Sequence, residues 1–531
     1  MIKSFAAATL AALLASAATT AAHAQDIAAL KAQAVAGVEA RAKMAQVLND
    51  QIFSFGEPGF EEVETSKLIT ATLEKNGFTV KRGISGMPTG WVATWTNSVK
   101  GKPAGPTIAL GSDIDGVPRT SQKPGIPWHD PLVKDAPGHG EGHNSGNPLN
   151  IVAALAVKDV MIREGIPGTL MLWPGVAEEL VAAKAYMVRD GVFKDVDAVL
   201  FTHVDDNLAV SWGPTSGTGL VSVEYSFWGE TAHSAGSPWR GKSALDAVTL
   251  MNLGWEMRRE HLRPEQRSHY VIKKGGDQPN VVPAEASVWY YFREQSFDGI
   301  AKNFEIGNKI ADAAAMMTDT TVTRRILGTA APRHFSRPIA EAAYANIQQV
   351  GLPKWTADEQ AFAKAVQTNL NPKKVEGLST ELDKLEPPAE EPKSGGSDDI
   401  GDVSWVVPTI TLRYPANIPD VTYHHWSAAI AMATPIAHKG VVAGAKVVSM
   451  TVLDLMTSPT LLKEAKSYFT DVQTKDQKYL PMIGPKDMPP VTINADMMAG
   501  YRADMRKLYY DPAKYPTYLD QLGIKFPTLK K

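Results

Sequence analysis

The sequence predicts an α/β fold in which a mixed, mostly parallel sheet is covered by helices and a smaller domain is inserted into the larger one. From about residue 90 to 205, apolar strand-like runs alternate with helical patterns, as in a parallel sheet with helices on both faces. Between 216 and 332 the order changes to strand-helix-strand-strand-helix-strand, which is that of the ferredoxin-like unit. A chain of 531 residues is also too long for one ordinary core.

The N-terminus has the pattern of an export signal. Lys3 supplies a positive charge, residues 5–18 are apolar and rich in alanine, and Ala22-His23-Ala24 is a small-x-small cleavage site. The apolar run is too short to span a bilayer comfortably. We therefore expect a signal peptide over 1–24 and an exported protein, periplasmic or secreted.

The amino-acid composition excludes cysteine-based chemistry and gives no sign of a nucleic-acid or membrane partner. The chain contains no cysteine, which excludes a disulfide framework, a thiolate nucleophile and a cysteine-ligated metal. A formal net charge of -3 offers no electrostatic footprint for nucleic acid or for an anionic membrane, so we expect neither as a partner. Carboxylates and imidazoles remain as the ligands and general bases to consider.

The predicted elements of the larger domain follow in order. Residues 26–77 show helical spacing of apolar residues. Strands are predicted in GWVATWTN, PTIALGSDIDG, GTLMLWPG and DAVLFTHVDD, and helices in NIVAALAVKDVMIREG and AEELVAAKAYMVRDG. After the inserted domain, helices resume at Arg337, and VSWVVPTITLRYP returns to the main sheet.

These patterns divide the chain into domains. The larger domain, expected to be the metal-dependent catalytic domain, comprises 25–215 and 333–459, and it contains the candidate metal ligands. The inserted domain is predicted at 216–332. Residues 460–531 form a C-terminal extension that is polar and rich in Tyr, Pro, Lys and Asp, and no chemistry can be assigned to it from the sequence.

A glycine-rich loop, PGHGEGHNSG at 137–146, concentrates ligand-type side chains. His139, Glu141 and His143 lie within five residues of one another, and the glycines let the backbone bend until such side chains converge. Imidazole and carboxylate are ligands of zinc, manganese or cobalt. The loop is therefore interpreted as half of a metal site; the alternative is a solvated glycine-rich surface turn.

Further polar residues follow the predicted strands. Asp113, Glu178, Glu179 and His203 all stand at the carboxyl ends of strands, the edge where open α/β sheets bind ligands. Adjacent glutamates point in different directions, so one can bind metal while the other takes a proton from water. The alternative for this pair is two solvated acids in the first turn of a helix.

In combination, these motifs resemble the M20 metallopeptidase family, in its amidohydrolase branch. The resemblance rests on GHGEGHN, the Glu-Glu pair, a following His, AHSAGSPWRGKSALDA, QPNVVP with a later Arg, and SDDIGDVSWVVPT. It covers roughly residues 30 to 450, and the combination is specific although each motif alone is weak. The family implies a catalytic domain with two metal ions and a lid or dimerisation domain.

The resemblance implies roles for individual residues. It makes Glu178 the general base, His233 the lid histidine that stabilises the oxyanion, and Asp113 the residue that orients a ligand. It makes Asn280 and Arg293 the residues that hold the substrate carbonyl and carboxylate. The implied metal ligands are Glu141, His143, Glu179, His203 and His424, with His425 an alternative to His424 that spacing cannot separate. At Glu141 this chain departs from the branch, which usually has a metal-bridging cysteine.

The implied activity is metal-dependent hydrolysis of the amide bond of an N-acyl or N-aroyl amino acid, for example aminobenzoyl-glutamate. The implied cofactors are two divalent ions, zinc or manganese, with cobalt also compatible with the oxygen and nitrogen ligands. The implied assembly is a homodimer or a hetero-oligomer with a related subunit. Two alternatives stay open, a dipeptidase or aminoacylase of the same family and a non-catalytic binding protein with this fold.

Overall fold

The computed structural model describes residues 27–390 and 395–530, so the expected signal peptide lies outside the described residues. The described residues begin with three helices: α1 at 27–39, α2 at Ala42–Phe55 and α3 at Val63–Lys75. Helix α2 presents Ile52 and Phe53 to the main core and ends at Gly56, whose φ of 55° lies in the left-handed region. These helices occupy the segment in which the sequence predicted them.

A six-stranded sheet forms the centre of the larger domain. The strands are β1 Thr79–Arg82, β2 Trp91–Asn97, β3 Thr107–Asp113, β4 Gly168–Gly175, β5 Ala198–Asp205 and β12 Thr409–Pro415. Their order in the sheet is β1-β2-β4-β3-β5-β12; β4, β3, β5 and β12 are parallel, and the hairpin β1–β2 joins antiparallel at one edge. The parallel strands are buried on both faces, which explains their nearly continuous apolar runs.

Helices cover this sheet. They include α4 Gly146–Glu164, α5 Lys184–Arg189, α8 Arg337–Val350, α9 Ala357–Leu370, α10 Ile400–Ser404, α11 Trp426–Ala429 and α12 Pro435–Thr457. Among the described residues, α12 is the one helix with the length and apolarity of a membrane span, but 78% of its apolar window is buried inside the protein. It packs against α4 and α8, and this burial accounts for its apolar composition.

The inserted domain is a four-stranded antiparallel sheet with two helices. Its sheet order is β10-β7-β9-β8, and its own core joins side chains such as Tyr225, Trp255 and Phe292. The elements are β7 Gly219–Trp228, α6 Ala244–Arg259, β8 Arg267–Lys274, β9 Glu285–Glu294, α7 Phe297–Met317 and β10 Thr321–Ala330. The short pair β6 Gly213–Pro214 and β11 His334–Phe335 flanks the insertion. The predicted fold class, a mostly parallel sheet with an inserted lid domain, is confirmed.

One predicted helix is much shorter than expected. Instead of continuous helix through AEELVAAKAYMVRDG, Glu178–Leu180 forms a 3₁₀ turn and α5 covers only Lys184–Arg189. Ala177 and Val181, on either side of the turn, have φ of 50° and 46°, in the left-handed region that non-glycine residues rarely adopt. Because this turn interrupts the expected helix, Glu178 and Glu179 lie in the turn and not on the surface of a regular helix.

The C-terminal extension wraps around the larger domain. It contains α13 Pro459–Tyr468, α14 Ala495–Arg506 and α15 Tyr518–Leu522. Tyr510 and Tyr518 are buried in the main core, and Met498 and Met505 pack on Ala136 in the glycine-rich loop region. The extension is therefore an integral part of this domain.

Candidate metal centre

The candidate site forms where the parallel strands end. Asp113 is the last residue of β3 and lies opposite Gly175, the last residue of β4, so the turn that carries Glu178 begins beside it. His203 lies near the end of β5, next to β3 in the sheet. Parallel pairing thus brings together side chains from distant parts of the chain, as expected for this edge of an α/β sheet.

The glycine-rich loop delivers Glu141 and His143 to the same edge. Gly142 between them has φ of 80°, and a Cβ at this position would lie 2.9 Å from Cε of Met432. Only glycine meets both conditions without strain. His139 points away from the site: its Nε2 lies 3.0 Å from the carbonyl oxygen of Ile52, and burial lowers its pKa to about 3. It shapes the loop as a neutral side chain.

Asp115 orients the first group of candidate ligands. The Nδ1 atom of His143 lies 3.2 Å from the Asp115 carbonyl oxygen and 3.3 Å from its Oδ1, while Oδ2 accepts a hydrogen bond from the backbone N–H of Glu179. Asp113, to which the resemblance gives an orienting role, accepts a hydrogen bond from Lys184, and its Oδ2 lies 4.0 Å from His143 Nε2. The sequence contains Asp115 in the predicted strand segment PTIALGSDIDG but indicates no role for it.

Glu141 connects the remaining ligands. Its Oε2 lies 2.5 Å from Nε2 of His424, and its Oε1 lies 3.5 Å from Nε2 of His203. His424 Nε2 also lies 3.0 Å from Oε2 of Glu179. The structure thus gathers all five predicted ligands, Glu141, His143, Glu179, His203 and His424, into one connected group.

The geometry shows which of the adjacent His424 and His425 faces the candidate ligands. His424 has φ of 56°, and its backbone N–H donates to the Gly140 carbonyl, which turns the ring towards Glu141. His425 faces the other way: its Nδ1 accepts from the N–H of Ser427 at the start of α11, and its ring packs on Trp426. His424 is the one that meets the carboxylates.

The described residues fit a divalent metal. Three buried polar atoms, His143 Nε2, Glu179 Oε1 and Asp113 Oδ2, have no hydrogen-bond partner within the described structure, which is costly unless a ligand satisfies them. The ligand atoms of Asp113, His143 and His203 lie within 4.8 Å of one another, as do those of Glu141, His143 and Glu179. Imidazole and carboxylate donors at this spacing suit zinc, manganese or cobalt.

The carboxylates hold protons on the imidazoles. Burial alone would lower the pKa of His143, but the hydrogen bond to Asp115 and the charges of Asp113 and Glu179 outweigh it and raise the pKa to about 10. Hydrogen bonds to Glu141 and Glu179 raise the pKa of His424 to about 11. Because an imidazole coordinates metal through an unprotonated nitrogen, metal binding here must release protons.

Glu178 stands beside the ligands without belonging to them. Burial, and then the negative charges of Asp113 and Asp398, raise its pKa well above the ordinary value. One carboxylate oxygen of Glu178 also lies within 4.8 Å of oxygens of Asp398 and Asp399, but the Lys184 ammonium bridges Asp399 and Asp113 there. We therefore interpret this third acidic group as neutralised by lysine, and Glu178 as a carboxyl suited to accept and hold a proton.

A cavity of about 310 Å³ opens onto these residues, and three arginines line it. Arg293 of β9 donates to the Ser397 hydroxyl at 2.9 Å, and its buried Nε has no partner among the described residues. Arg333 donates to the Ser216 carbonyl, and Arg413 of β12 lies 2.6 Å from Nδ1 of His203. The sequence singled out Arg293 but missed Arg333 and Arg413, because no local motif marks either one.

His233 and Asn280 do not line this cavity. They lie on two neighbouring exposed loops of the inserted domain, after β7 and between β8 and β9, where the N–H of Ser234 donates to the Asn280 carbonyl. The Nδ1 of His233 accepts from the N–H groups of Ala235 and Gly236, so the ring is oriented by its own loop. Within the chain, the structure leaves these two predicted residues apart from the metal ligands.

Comparison with known proteins identifies relatives along most of the chain. The family model of the peptidase dimerisation domain, M20_dimer, matches residues 215–315. The chain is 32% identical to one of the subunits of p-aminobenzoyl-glutamate hydrolase from Escherichia coli, over 85% of this chain and 97% of that protein. It is 27% identical to Xaa-Arg dipeptidase of mouse over 83% and 92% of the two chains.

Solved structures share the fold at lower sequence identity. A putative aminohydrolase from methicillin-resistant Staphylococcus aureus superposes with a TM-score of 0.56 and 18% identity, covering 80% of this chain and all of that chain. An aminobenzoyl-glutamate utilization protein from Klebsiella pneumoniae superposes with a TM-score of 0.52 and 19% identity, covering 79% and 96%. These similarities support the two-domain architecture.

Proposed function

From the premise that the chain belongs to the M20 family and is a metal-dependent amidohydrolase, we propose that it hydrolyses the amide bond of an N-acyl or N-aroyl amino acid, such as p-aminobenzoyl-glutamate. The observation that carries the proposal is the cavity in which Glu178 and four of the five candidate ligands face three arginines. Such a cavity can hold an amide next to an acid–base residue and a carboxylate next to a guanidinium.

The candidate ligands would hold two divalent ions, zinc or manganese, with cobalt also compatible. When bound, the ions would activate water and polarise the amide carbonyl. Glu141, His143, Glu179, His203 and His424 supply only oxygen and nitrogen atoms, so the site has no oxidisable thiolate. Glu141 reaches both His203 and His424, which supports its carboxylate as one of the groups that would hold the ions.

The proton transfers are assigned to Glu178. Its side chain lines the cavity, and its raised pKa favours a carboxyl that takes a proton from the attacking water and returns it to the leaving amine. Arg293 would hold the substrate carboxylate, and Lys184, bonded to Asp113 and Asp399, would limit the negative charge around Glu178. His233 and Asn280 would stabilise the developing oxyanion and the carbonyl.

The exposed position of His233 and Asn280 supports an oligomeric enzyme. Neither residue lines the cavity of its own chain, so the lid of a second copy or of a related chain would bring them to it. The match to the dimerisation domain supports this arrangement, whether as a homodimer or as a hetero-oligomer. The N-terminal signal pattern supports action outside the cytoplasm, in the periplasm or beyond.

A substrate panel tests the proposal. We expect the metal-loaded protein to hydrolyse N-acyl or N-aroyl amino acids, and we expect a chelator to abolish turnover until zinc, manganese or cobalt is restored. The panel should include Xaa-Arg dipeptides, because one relative is a dipeptidase. Turnover that resists the chelator would overturn the metal-dependent mechanism, and binding without turnover would favour a non-catalytic protein.

Glu178→Gln tests the proton-transfer role. The variant should bind metal with unchanged stoichiometry but lose about a hundredfold or more in kcat, the scale of a lost general base. The matched control is Glu260→Gln, because Glu260 is exposed in the inserted domain. Near-normal kcat in Glu178→Gln would refute the assignment.

A further inference from the structure

The cavity contains more guanidinium charge than one substrate carboxylate requires. Arg293, Arg333 and Arg413 come from β9, the linker after β10, and β12, and all three line the same space. Within the described chain, no ion pair joins Arg293 or Arg413 to a carboxylate, and Arg333 reaches only Asp398, at 3.9 Å. Since charged groups in a protein interior are normally paired, these cations point to an anionic ligand.

The neighbouring acid does not neutralise the cluster. Asp398 is shared between Arg333 and Lys184, each 3.9 Å from one of its oxygens. Burial lowers the pKa of Arg333, the negative charge of Asp398 opposes this, and the positive charge of Arg413 lowers the pKa again, so the two guanidinium groups repel each other. An anion placed between them would relieve this repulsion.

Arg413 is also poorly satisfied by its imidazole neighbour. The Nη1 of Arg413 lies 2.6 Å from Nδ1 of His203 and 3.5 Å from the Val204 carbonyl, and that carbonyl lies 2.9 Å from the same Nδ1. Because a guanidinium only donates, Arg413 and the imidazole compete for one carbonyl acceptor whenever the ring proton lies on Nδ1. The Arg413 guanidinium is then available to an incoming acceptor.

The backbone keeps Arg333 in place. Its guanidinium donates to the Ser216 carbonyl at 2.6 Å, across the two linkers that enter and leave the inserted domain. Gly217 has φ of 120°, and a Cβ there would lie 2.5 Å from Nη2 of Arg333. Glycine at this position therefore lets the first linker pass directly beside the arginine.

We propose that Arg333 and Arg413 form a subsite for the side-chain carboxylate of an acidic amino acid, next to the α-carboxylate position at Arg293. Arg293 and Arg333 flank the consecutive residues Ser397 and Asp398, which supports two neighbouring carboxylate positions. The subsite selects glutamate-type substrates and rejects those with a cationic side chain, because like charges repel. This inference rests on the proposed function and adds the residues that determine specificity.

The test compares N-(4-aminobenzoyl)-glutamate with N-(4-aminobenzoyl)-glutamine, which differ by one charge. We expect kcat/KM of the metal-loaded enzyme to favour glutamate by ~10-fold or more, the scale of a hydrogen-bonded charge. In Arg333→Gln this ratio should approach one, and in Arg333→Lys, which keeps the charge and protects folding, it should fall partway. Arg337→Gln is the control, because Arg337 is exposed and pairs with Glu341 on α8.

Two results would overturn the subsite. One is a wild-type ratio near one with good turnover, which would leave the proposed function standing. The other is an equal loss of kcat/KM on both substrates in Arg333→Gln, which is the result that a purely structural role predicts. If neither substrate is hydrolysed, the proposed function fails, and binding measured by calorimetry tests the subsite. In that case N-(4-aminobenzoyl)-glutamate must bind the metal-loaded protein more tightly than N-(4-aminobenzoyl)-glutamine, and Arg333→Gln must remove the difference in affinity.

Discussion

At the scale of single residues, the site depends on side chains that hold the ligands as much as on the ligands themselves. Asp115 contacts both His143 and Glu179, although the three residues lie on separate segments. Hydrogen bonds of this kind fix the orientation and basicity of metal ligands. Glu62 supports the same turn from behind, because its Oε1 accepts from the backbone N–H of Ala177.

Asp115→Asn tests this orienting role. Loss of the carboxylate should weaken metal affinity by about 10- to 100-fold, the usual cost of removing such a contact. Metal titration followed by calorimetry measures the change. Asp130→Asn is a matched control, because Asp130 is part-exposed and paired with Lys123. Equal metal affinity in the two variants would contradict the role of Asp115.

At the scale of elements, the C-terminal extension supports the loops that carry the ligands. Arg502 of α14 pairs with the buried Glu57 at 2.8 Å and with Glu61 at 2.6 Å. Glu57 in turn accepts from the N–H groups of Glu64 and Thr65 at the start of α3, and its carbonyl accepts from Gly116. The extension is thus connected to the strand end that holds Asp115.

Arg502→Ala should therefore destabilise the larger domain. Removing one partner of a buried ion pair costs about 3 kcal/mol, because the buried Glu57 would lose its cationic partner and keep only the two backbone N–H groups. Arg506→Ala is the control: Arg506 is mostly exposed and lies 3.5 Å from Glu64, so its loss should cost less than about 1 kcal/mol. Guanidinium chloride unfolding measures the effect of both substitutions. Equal shifts of the unfolding midpoint in Arg502→Ala and Arg506→Ala would contradict the stabilising role of Arg502.

At the scale of the whole molecule, the proposed function requires the inserted domain of one chain to meet the larger domain of another. The carboxylates proposed for catalysis lie in the larger domain, while His233 and Asn280 lie exposed on the inserted one. The edge strand β8 is also largely exposed, with Val271 and Ile272 among its apolar residues. An exposed apolar edge strand is typical of a surface that pairs with another chain.

Complementation between inactive variants tests this arrangement. Glu178→Gln and His233→Ala should each be inactive alone, because one lacks the base and the other lacks the oxyanion donor. Co-expressed with different tags and purified through both, they should regain activity, since a mixed dimer contains one complete site. A doubly purified complex without activity would show that His233 does not act across the interface.

By itself, the sequence determined the fold class, the inserted domain and most of the strand-end carboxylates and histidines. Local periodicity and motif spacing carry that information, because strands and helices impose their own repeats on nearby residues. The sequence pattern wrongly predicted a continuous helix after Glu179, because nothing in the local sequence indicates that Val181 adopts a left-handed conformation.

Only the tertiary structure decided which of His424 and His425 meets the ligands, that Asp115 orients His143, and that Arg333 and Arg413 share a cavity with Arg293. These contacts join residues separated by tens to hundreds of positions, and no periodicity links them. They depend on how parallel strands, an inserted domain and a long extension pack together. The physical reason is that a local pattern specifies an element, whereas a site is specified by the packing of several elements.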